Sequence, residues 1–225
     1  YAFHNSGLSG NLCLPNLTGE ISSAKPFSGT KITSISNLGN ITKIGGQYNS
    51  TMGAFRDCTL LETVVLPETL TSLGGFSGCS VLRQINIPKS VTTIEVSTFI
   101  GCSSLEFDEL NLENVTSYGQ NAFSGVKIRK LVFGKLTSLP AGSQYTQNYG
   151  SKLYLEEVVL AEGVTAIPSY SFNGYSALAK INIPTSVTSI AANAFGGVPA
   201  DMVVNCPDLT GTLGANSFSS SGCIA

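Results

Sequence analysis

Tryptophan is absent from this 225-residue chain, histidine occurs once, and charged residues make up 12% of it. That is about half the ~25% usual in soluble domains. With 12 basic against 14 acidic residues the formal charge is −2, which offers no field to attract nucleic acid or an anionic membrane. Apolar runs are short and interrupted by polar residues, so no segment reads as a membrane-spanning helix. The one histidine, His4, sits near a terminus where chains fray, so a Ser-His-Asp or Cys-His centre has nothing to rest on. The six cysteines lack zinc-type spacing, and the glycines form no phosphate-binding fingerprint. Acidic residues gather at Glu106, Asp108, Glu109 and Glu113, but they lack a calcium-loop signature and imply no pocket for a paired-carboxylate hydrolase. No enzyme, cofactor or metal is expected.

What the chain does have is repetition. Residues 85–102 read INIPKSVTTIEVSTFIGC and residues 181–198 read INIPTSVTSIAANAFGGV. The shared core is an apolar residue followed by Thr. It occurs at Leu17-Thr18, Ile41-Thr42, Leu70-Thr71, Val91-Thr92, Val115-Thr116, Leu136-Thr137, Val164-Thr165, Val187-Thr188 and Leu209-Thr210. Successive threonines are 24, 29, 21, 24, 21, 28, 23 and 22 residues apart. A phenylalanine column follows at Phe27, Phe55, Phe76, Phe99, Phe123, Phe172, Phe195 and Phe218. Phe3 fits as the remnant of a preceding unit, and Tyr149 fills the slot in the unit that lacks Phe. Ahead of each Thr stands L-x-x-I-x-I-P, clearest at Leu82, Ile85, Ile87, Pro88 and at Leu178, Ile181, Ile183, Pro184.

Alternation over I-x-I is the period of a strand, and β-branched residues favour that pleat. Proline, having no N–H to donate, suits the strand's end. V-T-x-I reads as a second short strand, and A-F-x-G-C as one turn of α or 3-10 helix. A unit of ~23 residues cannot enclose a core, so units must stack and cover one another. The expected fold is a β-rich solenoid, one domain over 1–225, with 1–7 as a remnant. Repeats are expected near 8–30, 31–60, 61–81, 82–104, 105–127, 128–154, 155–177, 178–200 and 201–225. The opening YAFHNSG lacks the regions of a signal peptide, and the chain is expected to be a trimmed or processed piece.

Two charge columns test the stacking. Consecutive units carry Glu62, Arg83, Glu106, Arg129 and Glu156 in one slot, and Glu109, Lys130, Glu157 and Lys180 in another. In a parallel sheet equivalent residues lie about 4.8 Å apart, so alternating signs attract.

The assembled pattern L-x-x-I-x-I-P-x-S-V-T-x-I-x-x-x-A-F-x-G-C resembles the BspA-like branch of the leucine-rich repeats. Residues 82–102 and 178–198 carry the likeness best, and residues 8–225 carry it in weaker form. The resemblance implies a right-handed coil with a parallel sheet on its concave side. It also implies an extracellular or cell-surface location in bacteria (some relatives are protozoan) and, for several members, adhesion to proteins or cells. The first two units depart from the pattern, with Asn37 in an inward slot. The family ties adhesion to no short motif, so no ligand residues carry over.

Cys58, Cys79 and Cys102 share a slot that Val126, Tyr175 and Val198 occupy elsewhere, so they read as buried thiols packing as small hydrophobes. Cys206 falls in an inward slot, Cys13 in an outward one and Cys223 in the tail. Two inserts, GGQYNSTMG at 45–53 and PAGSQYTQNYGSKLY at 140–154, occupy equivalent places in their units. Their Tyr48, Asn49, Tyr145, Tyr149 and Tyr154 suit a recognition surface. The strand's middle column (Cys13, Ser36, Val65, Asn86, Asn111, Val132, Val159, Asn182, Asn205) is small and uncharged, with Asn86, Asn111 and Asn182 as candidate contacts. The expected function is non-enzymatic recognition of a protein ligand by a monomer. The alternatives are a structural spacer or a carbohydrate-binding module.

Overall fold

A computed structural model describes residues 2–46, 52–134, 136, 139, 148–206 and 211–218. These residues form a parallel-sheet β-solenoid of about eight turns, ~23 residues apart. They fall into two compact units: Tyr1–Glu106 with Ser117–Val126, and Phe107–Thr116 with Lys127–Ala225. In the first unit Ser9–Cys13, Lys31–Asn37, Thr63–Val64 and Gln84–Ile85 pair in that order. A second sheet runs Thr18–Ile21, Asn40–Ile44, Ser72–Leu73, Thr93–Ile94, Ser117–Tyr118. The larger sheet of the second unit orders Glu106–Leu112, Lys127–Phe133, Glu157–Leu160, Lys180–Asn182 and Val203–Asn205. Its smaller one orders Ala166–Ile167, Ser189–Ile190 and Thr212–Leu213. Among the described residues no helix is long and apolar enough to cross a membrane.

The repeated letters are the ones that stitch coil to coil. Thr92 donates its hydroxyl to the Thr71 carbonyl at 3.3 Å, and Thr188 repeats this with Thr165 at 3.2 Å. Where a serine precedes the anchor pair it does the same: Ser90 reaches Leu70 O at 2.7 Å and Ser186 reaches Val164 O at 2.8 Å. Proline opens the bend between the two strands of a coil, with Val91 N–H on Pro88 O at 3.0 Å and Val187 N–H on Pro184 O at 3.1 Å.

The aromatic column is in register within each unit. In the first, ring centroids along Phe3, Phe27, Phe55, Phe76, Phe99 and Phe123 are 5.6, 5.2, 5.2, 5.9 and 5.1 Å apart. In the second, Tyr149, Phe172, Phe195 and Phe218 stack at 5.1, 5.3 and 4.9 Å. Tyr149 does replace the missing Phe.

The A-F-x-G-C segments are turns rather than helical, which corrects the sequence expectation. Left-handed residues bracket the ring: Asn121 (φ 53°) and Gly125 (φ 84°) around Phe123, Asn193 (φ 57°) and Gly197 (φ 74°) around Phe195. A helix cannot run through that conformation, which Gly and Asn tolerate best. The reversal aims N–H groups at the next coil instead. Phe76 N–H meets Thr98 O at 3.0 Å and Gly78 N–H meets Ile100 O at 2.8 Å.

Asn37 is also corrected. It is exposed while Leu38 is fully buried, because register shifts between Gly10 and Asn11 and between Leu12 and Cys13 displace the pairing with Lys31–Asn37. Moving one residue along a strand exchanges inside for outside. Cys206, expected inside, is half-buried, and Cys13 is exposed as its slot implied. Cys223 lies outside the described residues.

Candidate functional site

The larger sheet of the second unit presents an ordered outer face. Lys130 pairs in register with Glu157, and Glu157 with Lys180. Lys130 Nζ lies 3.0 Å from Glu109 Oε2 and Lys180 Nζ 3.2 Å from Glu157 Oε1. The hydrogen bond to Glu109 holds the Lys130 pKa above its ordinary value, and the charge of Glu157 adds to this. Arg129 joins Asp108 at 3.1 Å and Glu156 at 3.8 Å. Beside these runs Asn111, Val132, Val159, Asn182 and Asn205, a column with no charge. The last four are in register.

The residues singled out in the sequence have different fates. Tyr48, Asn49 and Tyr145 lie outside the described residues. Tyr149 is not a surface contact: it is fully buried in the aromatic column, and its N–H donates to Tyr175 Oη at 3.1 Å. Burial pushes its phenol well above the usual pKa. The strand period could not reveal this, because Tyr149 counts both as a loop residue and as a column residue. Tyr154 is 44% exposed beside Leu153 at 72%, with Lys127 Nζ 5.3 Å from its ring centroid. Asn86 lies in the first unit and spends its amide on the previous coil: Oδ1 accepts from Leu66 N–H at 2.7 Å and Nδ2 donates to Leu66 O at 2.9 Å. Asn111 Oδ1 accepts from Glu113 N–H at 2.9 Å. Asn182 Oδ1 accepts from Asn205 Nδ2 at 2.7 Å, which continues the sheet through its side chains.

Sequence reasoning missed a second feature, in the first unit. Just after the second strand of each coil stand Ser22, Gly45, Gly74, Glu95, Gly119, Pro168, Ala191 and Gly214. Glu95 breaks a column of small residues, and that was the available signal. A Cβ on Gly74 would lie 2.7 Å from Gly46 N and 2.8 Å from Glu95 Oε2. Glycine therefore leaves room for the carboxylate to cross a coil. Glu95 Oε2 accepts from Gly46 N–H, Oε1 accepts from Ser72 Oγ at 3.1 Å, and Lys43 Nζ lies 3.4 Å from Oε1. Gly46 bridges Gly53 in antiparallel fashion, so Glu95 secures the stem of the 45–53 insert. A cleft of about 390 Å³ opens beside the pair, its lining including Lys43, Glu95, Thr93, Ser117, Ser23 and Val96.

Coils stacked in register, stitched by Thr and Ser and filled by an aromatic file, match a known architecture. Residues 20–149 and 145–224 match a family described as BspA type leucine rich repeat region, in 6 copies. The chain belongs to the BspA-type leucine-rich repeat family. Among solved structures, this BspA-type chain is similar to a leucine-rich repeat protein from Eubacterium ventriosum ATCC 27560. The two share 19% identity at a TM-score of 0.63 over 99% of this chain and 67% of that one. A leucine-rich repeat protein from Bacteroides ovatus ATCC 8483 gives 18% identity and a TM-score of 0.49 over 86% and 57%. The pneumococcal vaccine antigen PcpA gives 20% and 0.45 over 89% and 62%. The chain spans less than two thirds of the last two proteins. Comparison with curated protein sequences gives no match. Within the BspA-type repeat, the letters shared between coils are the stitching and core residues, whereas Glu95, Leu153 and Tyr154 depart from them.

Proposed function

We propose that this BspA-type chain is a non-enzymatic recognition module of a bacterial cell surface. It binds a protein partner through the outer face of the second unit's larger sheet and the neighbouring 140–154 insert. The carrying observation is the pairing of charges within that face. Lys130 and Lys180 each already have a Glu partner, so a protein docking over them meets paired rather than isolated charges. The uncharged Asn and Val column beside the pairs supplies contact area and hydrogen-bonding amides. Leu153 and Tyr154 extend it with exposed apolar surface, and tyrosine contributes contact area at low entropic cost. Among the described residues of the second unit, Tyr154 is the exposed aromatic ring, and with Leu153 it forms an apolar patch of the kind a protein partner covers. The family's surface location and adhesive members agree with this reading.

The test is a display of bacterial and host surface proteins probed with three forms: wild type, Leu153→Ser/Tyr154→Ser, and Val132→Lys/Val159→Lys. Loss of a specific partner in either altered form, with the melting temperature preserved, supports the reading. Equal binding by all three overturns it, and binding to nothing makes the chain a spacer.

A further inference from the structure

The cleft beside Glu95 belongs to neither the sheet face nor the 140–154 insert, and it has its own chemistry. Its two charges oppose each other at 3.4 Å. An anionic ligand seeking Lys43 would face Glu95, and a cationic one would have to displace Lys43 from Glu95. The balance favours a neutral ligand with hydrogen-bonding groups of both kinds on adjacent atoms.

Hydrogen-bonding capacity remains after the internal contacts are counted. An ammonium carries three donors, and among the described residues Lys43 spends one, on Glu95, while its side chain stays 44% exposed. Glu95 Oε2 accepts one N–H, from Gly46, and keeps a further acceptor site. Thr93 and Ser117 stand in register on neighbouring strands, and their hydroxyls are able to donate or accept. Val96 supplies an apolar patch on the wall. A donor charge, an acceptor charge, spaced hydroxyls and one apolar patch complement a pyranose ring, which has hydroxyls around its rim and C–H groups on its face. A vicinal diol engages Lys43 and Glu95 together, in bonds strengthened by charge on the protein side. The volume of about 390 Å³ is at the small end of ligand sites, about 300–1,000 Å³. That suits a sugar residue better than a stretch of peptide.

We infer that this cleft binds a neutral sugar residue of a glycan. The inference goes beyond the protein-recognition reading and does not depend on it, because the two sites share no residue.

The experiment is an NMR titration of the intact chain with neutral hexoses and N-acetylhexosamines, with glucuronic acid and a lysine-containing peptide as comparison probes. A neutral sugar is expected to shift the amides of residues 93–96 and 117–119. Lys43→Met should weaken that binding about tenfold, as loss of a hydrogen bond to a charged group requires, in a chain whose NMR spectrum remains that of the folded protein. Glu95→Gln also touches the insert's stem, so Lys43→Met and Thr93→Val are the deciding variants. Leu153→Ser/Tyr154→Ser should bind sugar as wild type does, which separates this result from failure of the protein reading. The inference is overturned if no neutral sugar shifts those amides, if only the acid or the peptide does, or if Lys43→Met and Thr93→Val bind like wild type.

Discussion

The thiol of Cys79 donates to the main-chain carbonyl of Phe55, one coil earlier, at 3.2 Å. Cys58 and Cys102 repeat the contact with Phe27 and Phe76 at 3.1 and 3.2 Å. The cysteine file thus does more than fill space. It hydrogen-bonds each aromatic turn to the next. Cys79→Ala should cost about 1–2 kcal/mol in urea unfolding, through the lost contact and the void it leaves. Cys79→Val should cost less, since Val126 and Val198 are buried in the equivalent slot. A valine variant less stable than the alanine one would refute this account.

Burial raises the pKa of Cys58 and raises that of Cys79 well above the ordinary thiol value. Thiolate is the reactive form. In the native protein Cys13, which is exposed, should therefore react with a disulfide reagent while Cys58 and Cys79 react only after denaturant is added. Mass spectrometry of the labelled peptides reads this directly. Rapid native labelling of Cys79 would contradict its buried position.

Phe99 lies between Phe76 at 5.9 Å and Phe123 at 5.1 Å and is fully buried. Phe99→Ala should cost about 3–5 kcal/mol, the usual range for an aromatic core truncation. Phe3 ends the file at 45% exposure, so Phe3→Ala should cost far less. Similar losses at the two positions, measured by chemical denaturation, would mean that stacking order is not what sets stability.

Lys130→Glu places a third carboxylate between Glu109 and Glu157. Like charges on adjacent parallel strands repel, so the melting temperature should fall at low ionic strength and recover part of the loss in high salt. A salt-independent loss would point to packing instead.

Glu162 accepts from Thr185 N–H, Thr185 Oγ1 and Ser186 N–H, each at 3.1 Å. Desolvation pushes its pKa up, but the hydrogen bonds from Thr185 and Ser186 outweigh it, and the net shift is downward from 4.5. A carboxylate depressed in the folded state adds stability above its unfolded pKa and loses it as pH falls through the folded value. The melting-temperature advantage of wild type over Glu162→Gln should thus be present near neutral pH and shrink below 4.5. An advantage that grew in acid would reverse the sign and refute the clamp.

Much of the site chemistry was not legible in the letters. Tyr149 carried two readings, a column residue from the repeat spacing and a surface contact from the insert's composition, and only the first holds, because the ring is fully buried. Asn86 and Asn182 looked like equivalent surface amides. Yet one spends both ends of its amide on Leu66 while the other joins an asparagine rung with Asn205, a difference that depends on the neighbouring coil. Glu95 was visible as an odd letter among glycines, but its partner Gly46 lies 49 residues away, beyond any local pattern.

The sequence by itself determined the stack: a recurring V-T, a recurring Phe and alternating charges at ~23-residue spacing make sense only if each coil covers the last. Only the tertiary structure decided that the Phe turns are not helical and that a carboxylate crosses a coil to pin an insert. Periodicity reports which side of the chain faces inward. Left-handed backbone and contacts between distant coils leave no period, because each depends on what the neighbouring coil places beside it.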